Sequence, residues 1–106
     1  MPKYLIKASY TAEGIKGVLK DGGTKRRAAA EAAVKSTGGK LEGFYFAFGD
    51  SDALVIVDAP DNASIAAASM AIGASGLVSA TTTVLLTPEE IDQAVKKGAS
   101  YSGPGR

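Results

Sequence analysis

Residues Gly43 to Asp61, reading GFYFAFGDSDALVIVDAPD, constrain the fold more than any other part of the chain. Two runs rich in aromatic and branched residues flank Gly49-Asp50, the pattern of two β-strands joined by a tight turn. A two-residue Gly49-Asp50 loop, with Gly accepting positive φ, pairs Phe48 with Ser51. Parity then divides the side chains. One face carries Phe44, Phe46, Phe48, Ala53, Val55 and Val57. The other carries Leu41, Gly43, Tyr45, Ala47, Asp52, Leu54, Ile56 and Asp58. A four-residue loop gives the same division, whereas a three-residue loop would scramble it. Both faces are apolar at the centre, so this hairpin needs two covers.

The rest of the chain supplies one of them. Lys3 to Tyr10 alternates as a strand, with Tyr4, Ile6, Ala8 and Tyr10 on one face. Thr11 is placed to cap a helix that is interrupted near Gly22-Gly23 and resumes from Thr24 to about Ser36. Ala29, Ala32 and Ala33 give this second part a small-residue stripe suited to close approach to a sheet. Gly38-Gly39 stops the helix, and strands follow over about Lys40–Phe48 and Ser51–Ala59. Pro60-Asp61-Asn62 caps a second helix over 62–74, apolar enough to predict that it is largely buried. Branched residues favour a strand over Leu77–Leu86. Thr87-Pro88-Glu89-Glu90 is a capping box that starts a short helix ending near Lys97. The order β-α-β-β-α-β plus a terminal helix predicts an α+β, ferredoxin-like, antiparallel four-stranded sheet with both long helices on one face. The expected organisation is one domain over 1–97 and a tail over 98–106. The other sheet face is left for a second copy of the chain. Six or more open apolar side chains approach the limit for a monomer, and an interface of about 800 Å² per subunit would bury them.

Composition narrows the chemistry. With 106 residues the chain holds one core and not two. It is 45% hydrophobic and 22% charged, as in ordinary globular proteins. A net charge of +1 gives no field to draw nucleic acid or an anionic membrane surface. The absence of Cys removes disulfides and thiolate chemistry, and fits a cytoplasmic protein. The absence of His removes Ser–His triads, most zinc sites and the commonest acid/base group near neutral pH. The N-terminus lacks the apolar core of a signal peptide. Residues 63–88 carry no charge, but their Ala, Ser, Gly and Thr content reads as a buried helix and strand and not as a membrane span.

A few residues could carry function. Tyr45 stands between the small Gly43 and Ala47 on its face, and Asp52 lies one diagonal step away across the hairpin. A phenol beside a carboxylate could bind a polar ligand or orient a proton; alternatively Tyr45 fills an interface and Asp52 caps the hairpin. Lys25-Arg26-Arg27 places cations in a helical first turn, against the dipole. They answer either an anionic partner or solvent. Asp50 and Asp52 lack the further ligands of a calcium loop, so no metal is expected. Asp58 lies roughly 20 Å along the strand from Asp52, too far for a catalytic pair. The glycines form no dinucleotide or phosphate loop, and no cofactor is expected.

Taken in order, these residues also resemble the GYD domain family of small bacterial proteins in the dimeric α+β-barrel group. The likeness runs through Tyr4-Leu-Ile, Tyr10-Thr11, Gly14-Ile15, Arg26-Arg27, Gly38-Gly39-Lys40, Phe44-Tyr45 and Phe48-Gly49-Asp50-Ser51-Asp52. It continues into Val55-Ile56-Val57-Asp58-Ala59-Pro60-Asp61 and Pro104-Gly105. Ser51 stands where the family has the Tyr of its name, so no role of that ring or hydroxyl carries over. The resemblance implies a homodimer and no settled activity. Two functional expectations follow. The first is a non-catalytic homo-oligomer, a structural module or one that holds a small anionic or aromatic ligand. The second, by analogy with cofactor-free oxygenases and isomerases of that group, is an enzyme with Tyr45 and Asp52 as acid/base pair and Arg26 holding an anionic substrate.

Overall fold

A computed structural model describes residues 1–106. The chain runs β1 (Lys3–Tyr10), α1 (Ala12–Lys35), β2 (Lys40–Phe46), β3 (Ala53–Asp58), α2 (Asn62–Ala74), β4 (Val78–Leu85) and α3 (Pro88–Lys97). The four strands form one antiparallel sheet in the order β2-β3-β1-β4. This is the ferredoxin-like arrangement that the element order predicts.

Local chemistry sets the helix boundaries. The Thr11 hydroxyl accepts from the Gly14 amide at 3.2 Å. The Asp61 carboxylate accepts from the Ser64 amide at 2.8 Å. Thr87 and Glu90 form a reciprocal capping box, with Pro88 in the first turn. In each case a side-chain oxygen satisfies an amide that the helix leaves unpaired. Gly22, at φ 79° and ψ 173°, breaks α1 into two segments where the Gly-Gly pair predicts an interruption. Gly14 answers a different need. A Cβ there would stand 2.2 Å from the Leu77 carbonyl oxygen, so only glycine lets the start of α1 rest on the entry to β4.

The covered face is the one bearing the β3 valines. Tyr4, Ile6, Val55 and Val57 pack with Val34 of α1, Ala59, and Ile65 of α2 into the core. The buried Tyr4 hydroxyl donates to Asn62 Oδ1 at 2.6 Å, tying β1 to the start of α2. The opposite face carries Leu5 of β1, Tyr45 of β2, and Leu54 and Ile56 of β3, with no element of the chain over it.

Three expectations need correction. The hairpin does not close through a two-residue loop. Ala47 N donates to Asp52 O at 2.9 Å, and Phe48 to Ser51 form a four-residue loop in which Gly49 keeps a negative φ. The strands end earlier than predicted, and the division of faces survives because both loops have the same parity. Leu41 does change face. The register shifts between Leu41 and Gly43, so Leu41 sits opposite Val57, and its side chain packs against the core. The extra residue of this β-bulge is Glu42. Finally, α2 is not largely buried. Ile65 and Ala68 are buried beneath it, while Ala66, Ala67, Met70 and Ala71 on the other side are exposed. Apolar composition predicts a cover on every side, but only one side of α2 meets the sheet.

α3 stands apart. None of its residues is buried, and it makes no substantial contact with the rest of the chain. Its Ile91 and Val95 are open to solvent on one stripe. The radius of gyration is 16.8 Å, against about 13 Å for a compact domain of this length, because the chain beyond β4 extends away from the sheet.

Candidate functional site

The sequence singles out Tyr45, Asp52 and Arg26, and the structure places them in three separate depressions. Tyr45 is 64% exposed, on the edge strand β2. Its ring lies over Gly43, where an added Cβ would come within 3.1 Å of Cε2. Arg27 and Glu31 of α1 and Glu42 of the bulge share its depression.

Asp52 sits opposite Ala47 as the register predicts. Its carboxylate turns toward β1 and accepts from the Tyr10 amide at 2.9 Å. This fixes the end of β1, and a second bond from Asp52 N to Ala8 O at 2.8 Å completes the junction. The groove beside Asp52 is lined by Tyr10, Ile15, Val18, Phe46 and Phe48. No hydrogen bond joins Tyr45 to Asp52; the diagonal step leaves the two side chains free to diverge, and they do.

Arg26 lies on the inner side of α1. Arg26, Ala29, Ala30, Ala33 and Val34 follow helical spacing, and together they border a cavity of about 100 Å³ between the helices and the sheet. Ile6, Ala53, Val55 and Ala80 form its floor, and Arg26 is the one charged residue of its lining. The Arg26 side chain is about one-third exposed, and its salt-bridge partner Asp21, across the Gly22 break, is 3.8 Å away. Lys25 and Arg27, the other members of the basic triplet, face solvent.

One charge cluster was not legible in the sequence. The bulge turns Glu42 onto the open face, where Lys3 Nζ contacts Glu42 Oε1 and donates to Asp58 Oδ1 at 3.0 Å. Hydrogen bonding with Glu42 and then with Lys3 holds the Asp58 carboxyl below its ordinary value. Hydrogen bonds to Glu42 and then to Asp58 raise the Lys3 ammonium above its ordinary value. Asp61 is lowered by its hydrogen bonds from Ser64. A glycine inside a strand, here Gly43, is the sequence signal that marks such a bulge. No group of three or more acidic side chains converges as a metal site would require, and no helix is long and apolar enough to cross a membrane.

A ferredoxin-like α+β domain with one open sheet face and an apolar cavity under its helices defines the class of protein. A family model for the GYD domain matches residues 4–95, and the chain belongs to that family. No curated protein and no solved structure matches it.

Proposed function

We propose that this GYD domain is a self-associating module that buries its open sheet face against a second copy of the chain. One observation carries the reading. Leu5, Leu54, Ile56 and Tyr45 form an apolar centre on a sheet face that no helix covers. Lys3, Glu42 and Asp58 lie at one end, while on the β4 side Lys7, Thr81 and Thr83 flank Leu54 and Leu5. An apolar centre with a charged rim is the anatomy of a protein–protein interface. Under a two-fold axis one patch serves both copies. The exposed stripe of α3 adds a second apolar surface to bury. The Cys-free composition fits assembly in the cytoplasm.

In this reading the domain is a scaffold or a holder of small molecules, and no reaction is assigned to it. Light scattering at micromolar concentration should give the mass of a dimer or a larger closed oligomer. A monomer at all accessible concentrations would remove the proposal.

A further inference from the structure

The cavity under α1 contains an unusual residue. Positions 26, 29, 30, 33 and 34 form one continuous stripe of the helix, the stripe that faces the sheet. Four of them are Ala or Val, and the first is Arg26. A stripe buried for packing alone would continue with an aliphatic side chain. Instead a guanidinium stands at the lip of the cavity, and Ala29 beside it is exposed, so the cavity opens to solvent at that point.

Of the 14 residues that line the cavity, 13 are hydrophobic. The methyl groups of Ala29, Ala30 and Ala33 form the roof without filling the space below. Protein interiors seldom leave gaps larger than a water molecule, and the space here is about 100 Å³. Apolar cavities of about 150 Å³ take up benzene. Asp21 at 3.8 Å is beyond hydrogen-bond distance, so the planar fork of Arg26 keeps its donors for another acceptor.

We infer that this cavity is a binding site for a small apolar monocarboxylate, with the hydrocarbon body under α1 and the carboxylate at the lip on Arg26. Charge and shape select the class. A cation is opposed by Arg26, the one charged residue of the lining. A neutral hydrocarbon leaves the guanidinium unused. A sugar or other polyol would strand its hydroxyls against Ala and Val. A carboxylate meets the fork through two parallel hydrogen bonds, and a short branched chain of about four carbons matches a space two-thirds of that which holds benzene. The site lies within one chain, on the covered side of the sheet, so it stands independently of self-association.

The test is a titration of the whole protein, labelled at its Ala methyl groups, with 3-methylbutanoate and with 3-methylbutan-1-ol as a neutral counterpart. The carboxylate should give saturable shifts at the Ala29, Ala30 and Ala33 methyls at sub-millimolar to millimolar concentration. Arg26→Gln should weaken 3-methylbutanoate by about tenfold or more, as expected for losing a charged hydrogen-bond partner, and leave the alcohol unchanged. Ala30→Leu fills the space and should abolish both; Ala33→Val serves the same purpose if that variant does not fold. Two results would overturn the inference. One is 3-methylbutanoate producing no saturable shift at these methyls. The other is Arg26→Gln changing the carboxylate and the alcohol alike. Light scattering on the same samples separates the two proposals, because loss of the dimer leaves this titration intact.

Discussion

The two faces of the sheet are built from the same strands and have opposite fates. Along β3, Ala53, Val55 and Val57 are buried, while Leu54, Ile56 and Asp58 between them are half-open. Along β1, Tyr4, Ile6 and Ala8 are buried, while Leu5 and Ser9 are half-open and Lys7 is exposed. The residues of the two sets differ little in hydrophobicity at the centre. What separates them is the side to which the two helices cross, and ferredoxin-like connections put both helices on the same side. An apolar face therefore shows that a cover is needed, and the chain's own topology decides whether that cover is internal.

This contrast can be broken most sharply by matched truncations. Ile6→Ala on the covered face should cost about 2–5 kcal/mol in urea unfolding. Ile56→Ala on the open face, measured on dilute monomer, should cost well under half of that. Equal losses would mean that the two faces are equally packed. The cover itself can be loosened next. Gly14→Ala should destabilise by about 1–3 kcal/mol because its methyl meets the Leu77 backbone. An unhindered helix would instead gain about 1 kcal/mol from the same change, so the sign alone decides.

Ile56→Lys should convert the proposed oligomer to monomer by light scattering, with monomer stability moving by no more than about 0.5 kcal/mol. An unaltered mass would place the interface elsewhere. The smallest effect is one of pH. Asp58 and Asp61 are held below their ordinary value of 3.8, so their stabilisation is complete above that pH and is lost as the pH falls through their folded values. Lys3 is raised above 10.5, and its contribution is present below that pH and is lost as the pH rises past its folded value. The urea midpoint should therefore fall as the pH drops below about 4, and fall less in Asp58→Asn.

Short-range chemistry made much of the fold readable. Thr11, Asp61 and Thr87 act on amides three residues away, so their caps can be read within a four-residue window. Parity gave the faces, since the outcome depends on whether the loop length is even and not on the turn type. The bulge at Glu42 escaped because its one local sign, Gly43, reads equally well as a small neighbour of Tyr45 in an unbroken strand, and the inserted residue shifts every earlier position of β2. The Tyr45–Asp52 pair shows the limit at the site. Register placed both backbones, but the side chain of Asp52 follows a hydrogen-bond donor on β1, and sequence spacing within the hairpin holds no information about that donor. The Arg26 cavity was closer to legible, because the five-residue stripe that begins with an arginine is visible in the helical spacing.

The two margins of the sheet also differ in how they are defended. β2 is interrupted by its bulge and bears Lys40 and Glu42. β4 runs eight residues, VSATTTVL, in unbroken register with β1, with no lysine, proline or irregularity. Its outer row of peptide groups is a template on which another extended segment can grow. Overproduced or concentrated protein should therefore be watched for filament formation along this margin, and Thr83→Lys, which leaves the helix-covered face as it is, would blunt it.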